Sequence, residues 1–243
     1  MTLPTAPPHC PHADDGQRIR AMLQLVSDRV PLQRRLLHAG DVVHAAGMPF
    51  TQLFVLNTGL LKIVCTSADG RDQVVGLHFR GDWLGFDGIA TGRHACDTVA
   101  LDTGELWSMR YDTLMQACAL HRPLLDVVHA EMSRAITRSR TAILSLCTLS
   151  AAARVADFLL YWAGSLEGRG QRTDSFTLRM TRAEIGNYLG MTLESVSRAL
   201  SGLARRRMIG FTEKGRREIM IPDLRALAGF VDGSVPPPGA TVQ

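Results

Sequence analysis

Apolar and polar positions divide the chain into a part with strand periodicity and a part with helical periodicity. From about residue 34 to 109, short apolar or alternating runs are separated by glycine and polar turns. The run from Leu60 to Cys65, followed by a Ser-Ala-Asp-Gly turn ending at Gly70, is one example. Regular short strands of this kind predict an antiparallel barrel or jelly roll. From residue 111 onward, apolar positions recur three and four residues apart, which indicates helices.

A long helix is predicted after Pro123, because proline is tolerated in the first helical turn. Its apolar positions alternate by four and three residues over about three heptads, as in a coiled-coil seam. The alternative is that the helix packs only against the barrel of its own chain. A helix of that kind rarely needs so long and narrow a stripe of apolar residues. We therefore expect two chains to pair in parallel through Val128, Met132, Ala135, Ile136, Ser139, Ala142, Ile143 and Leu146.

Residues 180–200 carry the signals of two short helices joined by a glycine turn. Thr181 can cap the first helix, and Glu184 three residues later completes a capping box. Gly190 suits the left-handed conformation that ends a helix, because it has no Cβ. Thr192 can cap the second helix. This layout is a helix-turn-helix, whose second helix enters the major groove of DNA.

Glu194, Ser197 and Arg198 lie three and four residues apart near the start of the second helix, so they project from one side. Arginine can bind guanine O6 and N7, glutamate can accept from the cytosine amino group, and serine can pair with several bases. A solvated Glu–Arg pair is the alternative, but within a capped helix-turn-helix we favour base reading. The candidates for phosphate contacts are Thr181, Arg182, Thr192, Ser195, Arg205, Lys214 and Arg216.

Two basic clusters follow the second helix, at residues 205–207 and 214–217, although the net charge of the chain is only +4. Basic clusters of this kind are the electrostatic footprint of phosphate binding. Residues 208–221 alternate about a Lys-Gly turn, which predicts a two-stranded wing beside the helix-turn-helix.

The run from Glu194 to Arg198, preceded by Ile-Gly-Asn-Tyr-Leu-Gly at 185–190, resembles the E-x-x-S-R recognition helix of the FNR branch of the CRP/FNR transcription regulators. The resemblance extends from about Leu36 to Phe230. It implies an α+β chain with an N-terminal antiparallel β-roll of the cyclic-nucleotide-binding type, a long dimerisation helix and a C-terminal winged helix-turn-helix. It also implies a homodimer that reads a palindrome of TTGA-type half-sites, with double-stranded DNA and RNA polymerase as partners.

The expected domains follow from these elements. They are a flexible N-terminal arm at 1–17, a β-roll sensory domain at 18–122, the dimerisation helix at 123–149, the DNA-binding domain at 150–232 and a disordered tail at 233–243.

The cofactors of related proteins are not expected here. FNR proteins hold an iron–sulfur cluster with N-terminal cysteines and one barrel cysteine, and such a cluster needs about four thiolates. This arm offers only Cys10-Pro11-His12, and Trp107 aligns with the barrel cysteine. At the position that would hold a cyclic phosphate, Arg93 comes too early and Asp97 would repel an anion. We predict neither an iron–sulfur cluster nor a cyclic nucleotide, and the alternative of a haem- or redox-responsive sensor stays open.

The remaining composition narrows the class of protein. No secretory signal or apolar run of about 20 residues is present, which favours a cytoplasmic protein without a membrane partner. No phosphate loop, nucleophile elbow or metal spacing indicates an enzyme. Five cysteines without paired spacing argue against a disulfide framework. We expect small core residues at Cys65, Cys96, Cys118 and Cys147, and structural histidines at His38, His44, His78 and His94.

Overall fold

The computed structural model describes residues 15–167, 172–212 and 217–234. Residues 17–139 form one compact unit, and the residues from 140 onward form the body of a second. Lys214, Arg216, the Cys10-Pro11-His12 stretch and the tail from 235 onward lie outside the described residues, so the predictions made for them stay predictions.

The N-terminal unit has the predicted β-roll architecture. Its elements are α1 (Asp15–Arg29), β1 (Gln33–Leu37), β2 (Val42–His44), β3 (Gln52–Thr58), β4 (Leu61–Thr66), β5 (Asp72–His78), β6 (Trp83–Leu84), a 3₁₀ helix (Phe86–Gly88), β7 (Asp97–Ala100), β8 (Gly104–Arg110), α2 (Tyr111–Leu120) and α3 (Arg122–Thr148). The strands form two four-stranded antiparallel sheets with the orders β1-β8-β3-β6 and β2-β7-β4-β5.

Strand β3 is buried on both faces, which accounts for its continuous apolar run. Successive side chains of a strand point to opposite faces. Leu53 and Val55 accordingly pack with the residues of α1, α2 and the start of α3. Phe54 and Leu56 pack in the second cluster of the roll, together with Leu61.

The first half of α3 is fastened to the β-roll by buried charges. Glu131 is only 2% exposed and pairs with Arg18 at 2.9 Å and with Arg134 at 2.6 Å. Arg138 pairs with Asp82 at 2.9 Å. Burial would raise the pKa of Asp82, but the Arg138 guanidinium, the nearby His78 ring and the Phe79 N–H lower it to about 2. The Arg18–Glu131 and Arg138–Asp82 pairs hold α3 against the rest of this unit, whereas Arg134 lies on α3 itself. Removing one partner of such a pair is costly, because it leaves a buried carboxylate without its counter-charge.

This packing corrects the predicted dimer seam. Val128 is 4% exposed and lies in the core of the roll, and Met132 packs against the same core. Both residues therefore stabilise their own chain and offer little surface to a partner. The large apolar side chains that α3 leaves exposed are Ile136, Ile143 and Leu144, at 50%, 60% and 58%. Ile136 and Ile143 are thus the large apolar members of the predicted seam that α3 leaves exposed.

The C-terminal unit is the predicted winged helix-turn-helix. Its antiparallel sheet has the order β10-β11-β9, and β10 pairs with β11 as the two wing strands. No helix within the described ranges is long and apolar enough to cross a bilayer. The elements are α4 (Ala151–Glu167), β9 (Ser175–Thr177), α5 (Arg182–Tyr188), α6 (Leu193–Arg205), β10 (Gly210–Phe211), β11 (Glu218–Met220) and α7 (Leu224–Asp232).

The cysteine predictions are partly wrong. Cys118 is buried, as predicted, but Cys147 is exposed. Cys65 and Cys96 are joined in a disulfide bond instead of occupying separate core positions. The two cysteines are 31 residues apart in the sequence, so their pairing could not be predicted from their spacing. The pairing of β4 with β7 brings them side by side.

Three of the four predicted structural histidines are buried inside the roll, but the Nδ1 atom of each makes no hydrogen bond with the residues that the structure describes. The buried ones are His44, His78 and His94, whereas His38 is exposed.

Candidate nucleic-acid interface

Helix α5 begins with the predicted capping box. The Glu184 N–H donates to the Thr181 hydroxyl at 3.1 Å, and the Thr181 N–H donates to the Glu184 carboxylate at 2.8 Å. Two backbone donors that a helix start leaves without an intrahelical partner are thereby satisfied. The sequence signal fixes where the helix-turn-helix begins.

The turn between α5 and α6 depends on two glycines. Gly190 has φ +62°, the left-handed conformation that was predicted for it. Gly186, for which the sequence pattern predicts no role, lies where the backbone of the turn approaches α5. Its carbonyl accepts from the Met191 N–H at 2.9 Å, and a Cβ at 186 would lie 2.6 Å from the Met191 carbonyl oxygen.

We expect Gly186→Ala to lower the free energy of unfolding by about 1–3 kcal/mol, because the new Cβ forces backbone atoms apart. The matched control is Gly202→Ala in α6, where a Cβ meets nothing within 4 Å. Alanine is the better helix former there, so this variant should gain about 0.5–1 kcal/mol. Urea unfolding of both variants measures the difference. Equal effects would contradict the close approach at the turn.

Helix α6 separates a buried face from an exposed one. Val196, Leu200 and Leu203 are at most 2% exposed and hold the helix against its own unit. Leu193, at the start of the same helix, is 45% exposed. Thr192 caps the helix as predicted, and its hydroxyl accepts from the Ser195 N–H at 3.2 Å. The orientation of the helix is thus fixed by burial on one side.

The predicted base readers lie on the opposite face. Glu194 and Arg198 are exposed, and Ser197 is half-buried. The Arg182 guanidinium donates to the Ser197 hydroxyl at 3.2 Å, and the Arg198 guanidinium donates to the Ser195 hydroxyl at 3.3 Å. Arg182 and Ser195, predicted as phosphate contacts, therefore also orient two of the three side chains in the free protein.

Glu194 is held in its ionised form. Its own backbone N–H, the Thr192 hydroxyl and the nearby Arg198 charge lower the pKa of its carboxyl group. An ionised carboxylate is a hydrogen-bond acceptor only, which suits the amino group of cytosine.

The end of α6 presents positive charge. Arg205, Arg206 and Arg207 are exposed, and the Arg206 guanidinium lies 5.2 Å above the ring centre of Phe230. Arg217, at the start of the second wing strand, is also exposed. Such a surface attracts the DNA backbone irrespective of sequence.

Arg154 is a positioning residue that the sequence analysis did not identify. Its guanidinium donates to the Leu149 carbonyl at 3.0 Å and to the Leu189 carbonyl at 3.3 Å. Both carbonyls lie at helix ends, where they lack intrahelical partners. The position of this arginine within the apolar run of α4 is the feature of the sequence that could have indicated such a role.

Comparison with known proteins agrees with this geometry. Residues 153–230 match the model of the Crp-like helix-turn-helix domain, and residues 34–121 match that of the cyclic nucleotide-binding domain. The transcriptional regulatory protein btr of Bordetella pertussis is 32% identical over 214 residues, covering 88% of this chain and 86% of that protein. The chain belongs to the CRP/FNR family.

Other CRP/FNR proteins are similar over comparable lengths. The transcriptional activator protein Anr of Pseudomonas protegens is 30% identical, covering 86% of this chain and 84% of its own. The structure of FixK2 from Bradyrhizobium japonicum superposes with a TM-score of 0.71 at 25% identity, covering 82% of this chain and 97% of that one. As a CRP/FNR protein, the chain is a DNA-binding transcription regulator and not an enzyme.

Proposed function

We propose that this CRP/FNR regulator acts as a homodimer that reads a palindrome of TTGA-type half-sites through Glu194, Ser197 and Arg198. One observation carries the proposal: the three side chains share the outward face of α6, near its N-terminal end, while the opposite face is buried. A recognition helix contacts base edges with its N-terminal residues. The cytoplasm is the proposed place of action, and RNA polymerase is a proposed partner.

The proposed dimer is supported by the apolar face that α3 leaves exposed. Ile136 and Ile143 are seven residues apart, so they lie on one side of the helix, and both are at least half exposed. We propose that a second copy of the chain covers this apolar face, because a dimer suits a protein that binds a palindromic DNA site. A two-fold dimer sets two recognition helices against half-sites about 34–36 Å apart.

The dimer is tested by Ile143→Glu, which puts a charge on this face. We expect the wild-type protein to sediment as a dimer at micromolar concentration without added metal, and the variant to sediment as a monomer that binds the palindrome much more weakly. The matched control is Leu120→Glu, because Leu120 is an apolar residue that is 80% exposed but lies on α2. A monomeric wild-type protein, or a dimer that survives the change at 143, would contradict the proposal.

We propose that DNA binding needs no iron–sulfur cluster. Trp107 replaces the barrel cysteine, is 6% exposed, and donates its indole N–H to Glu105. Cys65 and Cys96 are engaged with each other. No group of three or more potential metal ligands occurs among the residues that the structure describes.

We likewise propose that no cyclic nucleotide is required, because the relevant residues do not fit an anionic phosphate. The Asp87 carboxylate accepts from the Ala95 N–H at 2.7 Å, and Asp97 lies in the next strand. Arg93 is exposed and donates to the Gly47 carbonyl at 2.7 Å. Carboxylates in this place oppose an anion.

One alternative is a regulator that responds to redox conditions, and the disulfide bond between Cys65 and Cys96 favours it.

The other alternative is a regulator that binds haem. The visible absorption spectrum of the purified protein tests it, because a Soret band would support bound haem.

A further inference from the structure

Cys65 and Cys96 occupy opposed positions at one end of the β4–β7 ladder. The antiparallel register pairs Ile63 with Thr98 and Val64 with Asp97. The next two residues that face each other in this register are therefore Cys65 and Cys96. Their Cα atoms are 4.7 Å apart and their sulfur atoms are bonded. Strand pairing therefore creates the pair.

The ladder sets this spacing independently of the sulfur–sulfur bond. Opposed residues of an antiparallel pair that share no hydrogen bonds have Cα atoms about 4.5 Å apart. The backbone beside Cys96 is also held by carboxylates, since Asp97 accepts from the Ala46 N–H at 2.6 Å and Asp87 accepts from the Ala95 N–H at 2.7 Å. The two cysteines should thus stay adjacent after reduction, which is the geometry of a reversible pair.

The bond is also accessible. Both cysteines are half-buried, and the neighbouring Thr66 and Ala95 are exposed, whereas Cys118 is 5% exposed in the core. Thiol–disulfide exchange requires an attacking thiolate to reach one of the two sulfurs. The partial exposure of both cysteines and the exposed residue beside each of them favour such access.

The proposed cytoplasmic location of this DNA-binding regulator bears on the role of the disulfide bond. Disulfides that occur where the surroundings keep thiols reduced are usually redox-sensing or catalytic. We propose that Cys65 and Cys96 form a reversible thiol–disulfide site that gives this regulator a redox input. The inference rests on the DNA-binding function and on its proposed cytoplasmic location.

The chemistry needs a dithiol as reductant and a disulfide as oxidant. One thiolate of the dithiol attacks a sulfur of the Cys65–Cys96 bond, which breaks as a mixed disulfide forms. The second thiol of the reductant then displaces the remaining cysteine sulfur. The net transfer is two electrons and two protons, which leaves two cysteine thiols and an oxidised reductant. A low-molecular-weight disulfide such as oxidised glutathione reverses the reaction and is released as two thiols.

The bond lies next to a buried histidine pair, where its state can affect the interior of the roll. Cys96 is two residues from His94, whose ring stacks on His44 with ring centres 3.8 Å apart. Oxidation ties the segment that carries His94 to β4. Reduction removes this covalent link and leaves the segment held by its hydrogen bonds and by the packing of the buried His94 ring.

The exchange is tested on the full chain without DNA. The native protein is equilibrated in glutathione buffers of increasing oxidised-to-reduced ratio, quenched in acid, alkylated and analysed by peptide mass spectrometry. We expect Cys65 and Cys96 to pass together from two thiols to one disulfide in a single two-electron transition, while Cys118 remains a thiol. A pair that stays reduced in the most oxidising buffer, or stays bonded in excess dithiothreitol, overturns the site.

The redox input is tested by titrating the palindrome with fully oxidised and fully reduced protein. We expect affinities that differ by about 5-fold or more. Cys65→Ser and Cys96→Ser should each remove the difference, and Cys147→Ser, at an exposed cysteine of α3, should keep it. Equal affinities in the two states overturn the redox input. Failure of both states to bind DNA would instead contradict the DNA-binding function, because the exchange assay does not depend on DNA.

Discussion

Replacing Arg198 by alanine should weaken binding to a TTGA-type palindrome by about 1–3 kcal/mol per half-site and relax the preference at one guanine. The arginine is exposed on the outward face of α6, and its hydrogen bond to Ser195 orients it before DNA arrives. The bidentate contact that we propose between this guanidinium and guanine O6 and N7 would be lost in the variant. Fluorescence titration with the palindrome, and with versions altered at single base pairs, measures both effects.

The matched control is Arg205→Ala, which removes the same charge from the last turn of the same helix. A phosphate contact carries no sequence information, so this variant should bind all versions more weakly by a similar factor and show a flatter salt dependence. Full affinity and unchanged base preference in the Arg198 variant would show that this side chain does not read DNA.

The stability of the β-roll should depend on pH through His44. Burial, followed by the electrostatic influence of neighbouring His94, lowers the pKa of His44 from 6.5 to about 4. The unfolded chain therefore binds more protons than the folded chain between these values, and the free energy of unfolding falls as the pH falls from 6.5 to 4. The expected loss is on the order of 3 kcal/mol, from about 1.4 kcal/mol per pKa unit.

His44→Gln isolates this contribution. The Nε2 atom of His44 lies 3.0 Å from the Thr98 hydroxyl, a contact that a glutamine amide can reproduce without titrating in this range. Urea unfolding at several pH values should show a shallower acid loss for this variant than for the wild-type protein. His38→Gln, at an exposed histidine, should leave the wild-type slope unchanged. Parallel pH profiles for the wild-type protein and the variant at 44 would rule out a strongly lowered pKa.

Features encoded by neighbouring residues could be predicted from the sequence. The capping box of Thr181 and Glu184 and the left-handed Gly190 depend on residues close in the chain, and both occur as predicted. The β-roll could be predicted in the same way, because the short apolar runs and the turns between them are also patterns of neighbouring residues. Helix α7 was overlooked, although Asp223 caps it through the N–H groups of Arg225 and Ala226.

Features that depend on distant contacts could not be predicted. The heptad pattern of α3 does not reveal that Val128 is taken up by the core of its own chain. The pairing of Cys65 with Cys96 depends on the register of two strands, which the sequence does not contain explicitly. In the candidate site, the residues proposed to read bases could be chosen from the sequence by their types and spacing. The hydrogen bond from Arg182 to Ser197 could not, because it depends on the packing of α5 against α6.

Selection of bound sequences from random double-stranded DNA tests the central claim most directly, because it examines the recognition helix and the dimer together. The wild-type protein should enrich inverted repeats of a TTGA-type half-site with centres about one helical turn apart. Enrichment of a single unpaired half-site, of unrelated sequences, or of nothing would contradict the account.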